Sequence, residues 1–372
     1  MFRQSIPLGR IIGIPIAVDL SWFLIFALLT WMLATTYYPA QFKNWPIALD
    51  WGMGAVTAIM LFVSVLLHEL GHSVVALAYK VPVRKITLFI FGGVALIGGE
   101  PPSAGAEFFI AIAGPIVSAI LGVLFYFLER PAARVSPLLG LFEYLAYINI
   151  ALVLFNLIPG FPLDGGRVFR AIVWAITHNL QRATAIAANV GRGFAFLFIF
   201  FGVLQIFGGN FGAGIWIAFI GWFLDNAASA QLYQLAFQRA LTGHTVAQAM
   251  NAHYSTVPPD TTIQDVVDHH LIGGGKRSLV VGTADQPLGL MTLHRVKEVP
   301  KPQWPTTTAA QVAIPMSEVK RIDPNSQAWS AMQEMDRDGV NQLVVMTDGH
   351  VAGMLSRQDI IGFLRGLHEL GI

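Results

Sequence analysis

Not one cysteine occurs in the 372 residues, which excludes disulfide frameworks, thiol nucleophiles, iron–sulfur clusters and every cysteine-bearing zinc site. Charge is scarce as well: Asp, Glu, Lys and Arg make up 12%, where soluble domains carry about a quarter. A formal net charge of +1 offers no global electrostatic case for nucleic acid as a partner. In place of charge the chain has apolar surface, 55% hydrophobic residues and a mean hydropathy of +0.60. This composition belongs in lipid and excludes a disordered chain. Any resident metal must use His, Asp, Glu, Asn or Gln.

Crossing about 30 Å of hydrocarbon takes roughly 20 apolar residues. Runs of that kind predict spans over Asp19 to Tyr38, Gly52 to Tyr79, Phe108 to Leu128 and Leu138 to Leu157. Two shorter ones, Gly193 to Gly208 and Phe211 to Leu224, form a tight pair around the turn Gly208-Gly209-Asn210. The first run is read as a retained helix, since a small-residue cleavage site is lacking and Trp22 and Trp31 lie within it. In this six-span topology Arg3, Arg10, Lys80, Arg84, Lys85, Arg167, Arg170, Arg182 and Arg192 share one side, against Lys43, Arg130 and Arg134. The positive-inside rule then makes both termini cytoplasmic. Between the second and third spans, Lys85 to Gly99 is too short to cross and reads as a hairpin dipping into the membrane edge around Gly92-Gly93, or as a buried re-entrant loop.

Almost all long apolar runs end before residue 231, and the tail carries one pattern twice. Val246 and Met250 recur as Val312 and Met316, with Pro258 and Pro324 at equal distances behind. The triplets Leu279-Val280-Val281 and Leu343-Val344-Val345 precede Gly289 and Gly353 by the same interval, and Thr292 or Ser356 follows. Two copies imply two small α/β units packed together, since one alone would leave its apolar face bare. The domains expected are residues 1–230 in the membrane, a linker over 231–244, and a soluble tail over 245–372 with repeats at about 245–299 and 309–370.

The chemistry lies in LLHELGHSVVA of the second span. His68 and His72, four residues apart on a helix, share a face and can meet one metal, with Glu69 beside them to take a proton from metal-activated water. Random placement of 10 His and 9 Glu would give about 0.006 such HExxH matches in a chain of this length. Ionisable groups inside an apolar helix also cost several kcal/mol unless paired, metallated or facing a polar cavity. A catalytic zinc needs a third ligand, and the fourth span ends in NLIPGFPLDGGR, where Pro159 and Pro162 must break the helix. Asp164 is the best candidate, ahead of Asp19, Asp50, Asp225, Glu107 and Glu143, which are read as interfacial. Asn156 offers an amide to a substrate carbonyl or oxyanion, or else caps the broken backbone.

HELGH in one span and NxxPxxPLDGG in a later one closely resemble the site-2 protease family of intramembrane zinc metalloproteases, in the six-span form with a C-terminal pair of CBS domains. The resemblance implies one zinc per chain on His68, His72 and Asp164, Glu69 as general base and acid, and Asn156 helping to hold the substrate. It also implies a transmembrane-helix substrate from a membrane-anchored regulator, unwound and paired with the hairpin at Gly92 and Gly93. The AGPIVS segment at Ala113 to Ser118 matches too, but the Ser118 side chain receives no role. The tail resembles tandem CBS domains, implying an adenosine nucleotide at Gly353, Ser356 and Asp359. The first repeat departs from that pattern, with Arg295 where the Asp should be, and Arg295 could instead reach a phosphate. The other reading of the tail is structural, or a homodimer formed through the pair. The fold expected is therefore membrane α-helical, a six-span bundle with a membrane-edge β-hairpin and a soluble α/β tandem CBS domain. Its implied place is the lipid bilayer of a prokaryotic plasma membrane, multi-pass, with the active-site side cytoplasmic. A CBS-regulated channel or transporter is the rival class, disfavoured because conduction needs polar rings rather than an activated water.

Overall fold

The computed structural model describes residues 5–272 and 277–369. Arg3, counted toward orientation, and Leu370, the end of the second repeat, lie outside them. The chain divides into two compact units, Met1–Leu235 and Ala236–Ile372.

The membrane unit opens with β1 (Ser5–Ile11) and β2 (Ile14–Asp19), an antiparallel hairpin whose turn residues Ile12 and Gly13 both have positive φ, 52° and 78°. Asp19 Oδ1 accepts from the Ser21 backbone N–H at 3.0 Å and caps α1 (Leu20–Met32). That helix passes through a π-helical turn at Leu33–Tyr37 into α2 (Tyr38–Gln41). Next come α3 (Ile47–Ala78) and then β3 (Val83–Phe89) and β4 (Gly92–Ile97). The four strands form one sheet in the order β1-β2-β3-β4, with β2 and β3 parallel. The hairpin expected at Lys85 to Gly99 is thus one half of a larger sheet.

Helices α4 (Ala104–Ala132), α5 (Ser136–Asn156), α6 (Asp164–Thr177), α7 (Leu180–Phe207) and α8 (Phe211–Leu241) follow. Among the described residues six helices, with α1 and α2 taken as one, are long and apolar enough to cross a bilayer, and α6, with 14 residues, is not among them. The last two exceed their apolar runs: Arg192 Nε donates to Asp225 Oδ1 at 2.9 Å between α7 and α8, which lets charged residues ride on continuing helix. Helix α8 also absorbs 231–241 of the expected linker, because no proline or glycine occurs between Gly221 and Gly243.

Where α3 crosses α4, small residues let the backbones approach. A Cβ on Gly71 would stand 2.8 Å from Val117 Cγ2 and 3.1 Å from the Ala113 carbonyl oxygen. Two carboxylates read as interfacial are buried within the protein: Asp50 is 6% exposed and Glu107 0%. Arg170 on α6 donates to Glu107 Oε1 through Nε at 2.6 Å and also through Nη2, which neutralises the charge that burial would otherwise penalise.

In the second unit the duplication is structural. The first repeat contains α9 (Val246–Ala249), β5 (Thr256–Val257), α10 (Ile263–Asp265) with a π-helical turn Val266–Ile272, then β6 (Ser278–Gly282), β7 (Pro287–Thr292) and α11 (Leu293–Glu298). After the proline-rich stretch around Trp304 come α12 (Ala309–Val312), β8 (Ile314–Pro315), β9 (Arg321–Ile322), α13 (Ala328–Asp338), β10 (Gln342–Thr347), β11 (His350–Ser356) and α14 (Arg357–Glu369). Val281 pairs with Gly289 and Val345 with Gly353, the same register in both hairpins. Val280 and Leu290 of one repeat pack with Val344, Val351 and Met354 of the other, burying the face that either would expose alone.

Candidate active site

His68 and His72 project from one face of α3 and are 3% and 4% exposed. Each ring is held from behind. The His72 Nδ1–H donates to the Ile110 carbonyl at 2.7 Å, in a turn of α4 loosened because Pro115 has no N–H for the carbonyl of Ala111. His68 Nδ1 lies 2.9 Å from Ser118 Oγ, itself fully buried. The residue without an assigned role therefore orients a histidine, a contact invisible in the sequence because α3 and α4 meet 50 residues apart. With both Nδ1 atoms engaged, the two Nε2 lone pairs face each other and a carboxylate oxygen.

That oxygen belongs to Asp164, the first residue of α6. Its Oδ2 lies 3.1 Å from His68 Nε2 and 3.2 Å from His72 Nε2, and the two nitrogens are 3.2 Å apart. The group His68, His72 and Asp164 has the arrangement of a metal site. Tetrahedral zinc with bonds of about 2.0 Å sets ligand atoms about 3.3 Å apart, so the triangle fits that ion. Three electron-rich atoms at such distances repel unless a cation or protons stand between them. Gly114 supplies the space: a Cβ there would run into His72 Nε2 and stand 2.7 Å from His68 Nε2.

Asp164 is placed by main chain packed on main chain. The segment from Leu157 to Leu163 leaves α5 irregularly, and Cβ atoms on Gly160, Gly165 and Gly166 would collide with the backbones of Gly191, Leu157 and Gly160 in turn. Gly191 on α7 presses likewise against Phe161. Glu69 is held by the sheet: its Oε2 accepts the Ala95 N–H of edge strand β4 at 3.1 Å, and a Cβ on Gly93 would meet its Cδ at 3.1 Å. Gly92, with φ 123°, starts that strand at the turn. Asn156 closes α5 half-buried, and its side chain has no hydrogen bond among the described residues.

Residues 56–130 and 128–200 match peptidase family M50, and residues 310–366 match the CBS domain. A Synechocystis protein whose name includes the words zinc metalloprotease is 35% identical over 366 residues, 98% of this chain and 96% of its own. The zinc metalloprotease MJ0392 of Methanocaldococcus jannaschii is 32% identical over 269 residues, 72% of this chain and 73% of its own. The chain belongs to peptidase family M50. The solved site-2 protease from Methanocaldococcus jannaschii matches with 32% identity and a TM-score of 0.44, covering 61% of this chain and 95% of that one. This M50 member is an integral membrane zinc metalloprotease with CBS sequence in its tail.

In the tail, Ser356 and Asp359 line a cleft of about 800 Å³ together with Thr292, Arg277, Lys297 and Lys320. Asp359 Oδ2 accepts from the Ser356 N–H at 2.8 Å and the Ser356 hydroxyl at 2.5 Å, which leaves Oδ1 open. Gly353 lies outside that lining. Its missing Cβ, which would stand 2.9 Å from Met250 Sδ, lets β11 exchange backbone hydrogen bonds with Asn251. Arg295 is likewise not among the lining residues, and its Nη1 pairs with Glu298 at 3.1 Å.

Proposed function

We propose that His68, His72 and Asp164 hold the catalytic zinc and that the enzyme hydrolyses peptide bonds within transmembrane segments of membrane-anchored regulators. The observation that carries the ligand assignment is the near-equilateral triangle of Nε2, Nε2 and Oδ2 with both Nδ1 atoms engaged behind it. Bound zinc would polarise the attacking water and the scissile carbonyl. Glu69 takes the water proton on Oε1, since Ala95 occupies Oε2, and later delivers it to the leaving nitrogen. Asn156, with its amide uncommitted, donates to the substrate strand. The unwound substrate pairs along β4 past Gly92 and Gly93, the sheet edge that already touches Glu69.

In this reading the active-site side, the N-terminus and the tail face the cytoplasm of a prokaryotic cell; the bias of basic residues among the loops supports that orientation. Residues 1–230 carry the protease and 245–372 a regulatory pair, whose cleft favours an adenosine nucleotide. Asp359 Oδ1 can accept a ribose hydroxyl and Ser356 can face phosphate, with Arg277, Lys297 and Lys320 as counter-charges.

The deciding experiment pairs metal analysis with cleavage of a membrane peptide in detergent. Glu69→Gln should keep its zinc and lose turnover, whereas Asp164→Asn should lose zinc. Turnover surviving in Glu69→Gln would overturn the reading.

A further inference from the structure

Strand β4 ends the four-stranded sheet, so its outward N–H and C=O groups have no partner strand among the described residues. Two hydrogen bonds fix which residues turn outward. Just past the strand, the Gly98 N–H donates to the Pro82 carbonyl at 2.7 Å, on the side of β3. Three residues earlier, the Ala95 N–H turns the other way and donates to Glu69 Oε2 at 3.1 Å. Backbone groups alternate along a strand, so Gly93, Ala95 and Ile97 present theirs to the free edge, while Val94 and Leu96 turn toward β3. The middle one of these three outward donors is taken. A carbonyl accepting from an edge N–H lies about 2.9 Å from its nitrogen, and Glu69 Oε2 stands in that place. It is held there from two sides. Glu69 comes off α3, which packs against β4, and Gly93 leaves room for its stem, since a Cβ there would stand 3.1 Å from Glu69 Cδ.

We propose that the substrate strand docks in one register, with its scissile carbonyl opposite the Ala95 N–H. The inference rests on the pairing of substrate along β4 proposed above. In an added strand, a residue that faces β4 turns both its N–H and its C=O toward it, whichever way the strand runs. Such a strand finds the donors of Gly93 and Ile97 open and that of Ala95 closed. Carbonyls two residues to either side of the middle position accept from Gly93 and Ile97. The carbonyl between them meets Glu69 Oε2 in the place it would fill, and has to turn out of the strand plane. Of the bound segment's carbonyls that face β4, it is the one released from pairing, and it lies against the base. Pairing on both sides keeps the segment extended around this free group. The sheet edge therefore selects the bond by its place in an unwound stretch matching Gly93 to Ile97, and not by the identity of one side chain.

The test uses the full-length zinc-loaded enzyme in detergent micelles with a single-span model peptide whose cleavage site is read by mass spectrometry. Single N-methyl groups are then placed around that site, each removing one N–H and blocking approach on its side of the strand. On the residue that supplies the scissile carbonyl, and on those two before and two after it, N-methylation should lower kcat/KM by about 10-fold, the cost of an unmade hydrogen bond. One before and three after, where the N–H faces away from β4, the change should stay within about threefold. Neighbouring methyl groups disturb the free helix alike, so the difference between them reports pairing. Ile97→Pro removes one outward donor and spares the β3 side of the strand. With its zinc content unchanged, it should shrink the penalty of the N-methyl group at one of the two outer positions. The opposite alternation, with losses one before and three after, would overturn the register and leave pairing along the edge standing. Losses without alternation, or full additivity of Ile97→Pro with both outer N-methyl groups, would overturn the register together with the pairing. A parent peptide left intact would overturn the assigned reaction, and the register with it.

Discussion

The backbone N–H of Ala95 donates to the side chain of Glu69 at 3.1 Å, tying the edge of a β-sheet to a carboxylate inside a membrane-spanning helix. The strand that is proposed to receive substrate therefore also sets the position of the base. Gly93, two residues earlier, completes the arrangement by leaving room for the Glu69 stem.

Gly93→Val should consequently displace Glu69 without touching the histidines. Turnover is expected to fall by about 10²- to 10⁴-fold, the range for losing a general base. Metal analysis should still find one zinc per chain, and loss of zinc would show that the strand supports the ligands instead.

Ser118→Ala removes the partner of His68 Nδ1 and leaves a buried ring nitrogen unsatisfied. Zinc affinity should weaken by about 10- to 100-fold, as for other supports of metal-bound histidine. Competition with a chelating dye measures it. The shift should appear in the metal dissociation constant even where saturating zinc restores turnover.

Glu107→Gln strands the Arg170 guanidinium in a buried place, since the carboxylate is 0% exposed and its arginine side chain 14%. Removing one partner of such a pair costs about 3–5 kcal/mol. Thermal unfolding in detergent should show a clear loss of stability, and the double variant Glu107→Leu with Arg170→Leu should recover most of it.

The elements legible from the residues were those whose signal is local. HELGH places two histidines on one face by helical period alone, and the tail repeat declares its own register, Val281 opposite Gly289 and Val345 opposite Gly353. The first hairpin was missed because β2 is a continuous apolar run that flows into α1, and its partner β3 lies some 70 residues away. The Asp19 cap and the Ile12-Gly13 turn were the signals that could have found it. Ser118, Gly114 and Glu107 act across a helix crossing, and no periodicity along one segment reports what faces it from another. Helix α7 begins before, and α8 ends after, the apolar runs that mark their spans, and Arg192 and Asp225 neutralise one another just beyond those runs.

Gly160, Gly165, Gly166 and Gly191 have a consequence for how this enzyme tolerates change. The carboxylate of Asp164 is carried by a loop wedged against bare backbone, so its position owes little to the shapes of surrounding side chains. Repacking the neighbouring aliphatic residues should shift stability while leaving the triangle of donors intact, whereas a single methyl on any of these glycines should distort it. A designer transplanting the aspartate arm into another helical scaffold would have to carry over the glycine of the opposing helix along with the loop, or the graft would hold the right residue in the wrong place.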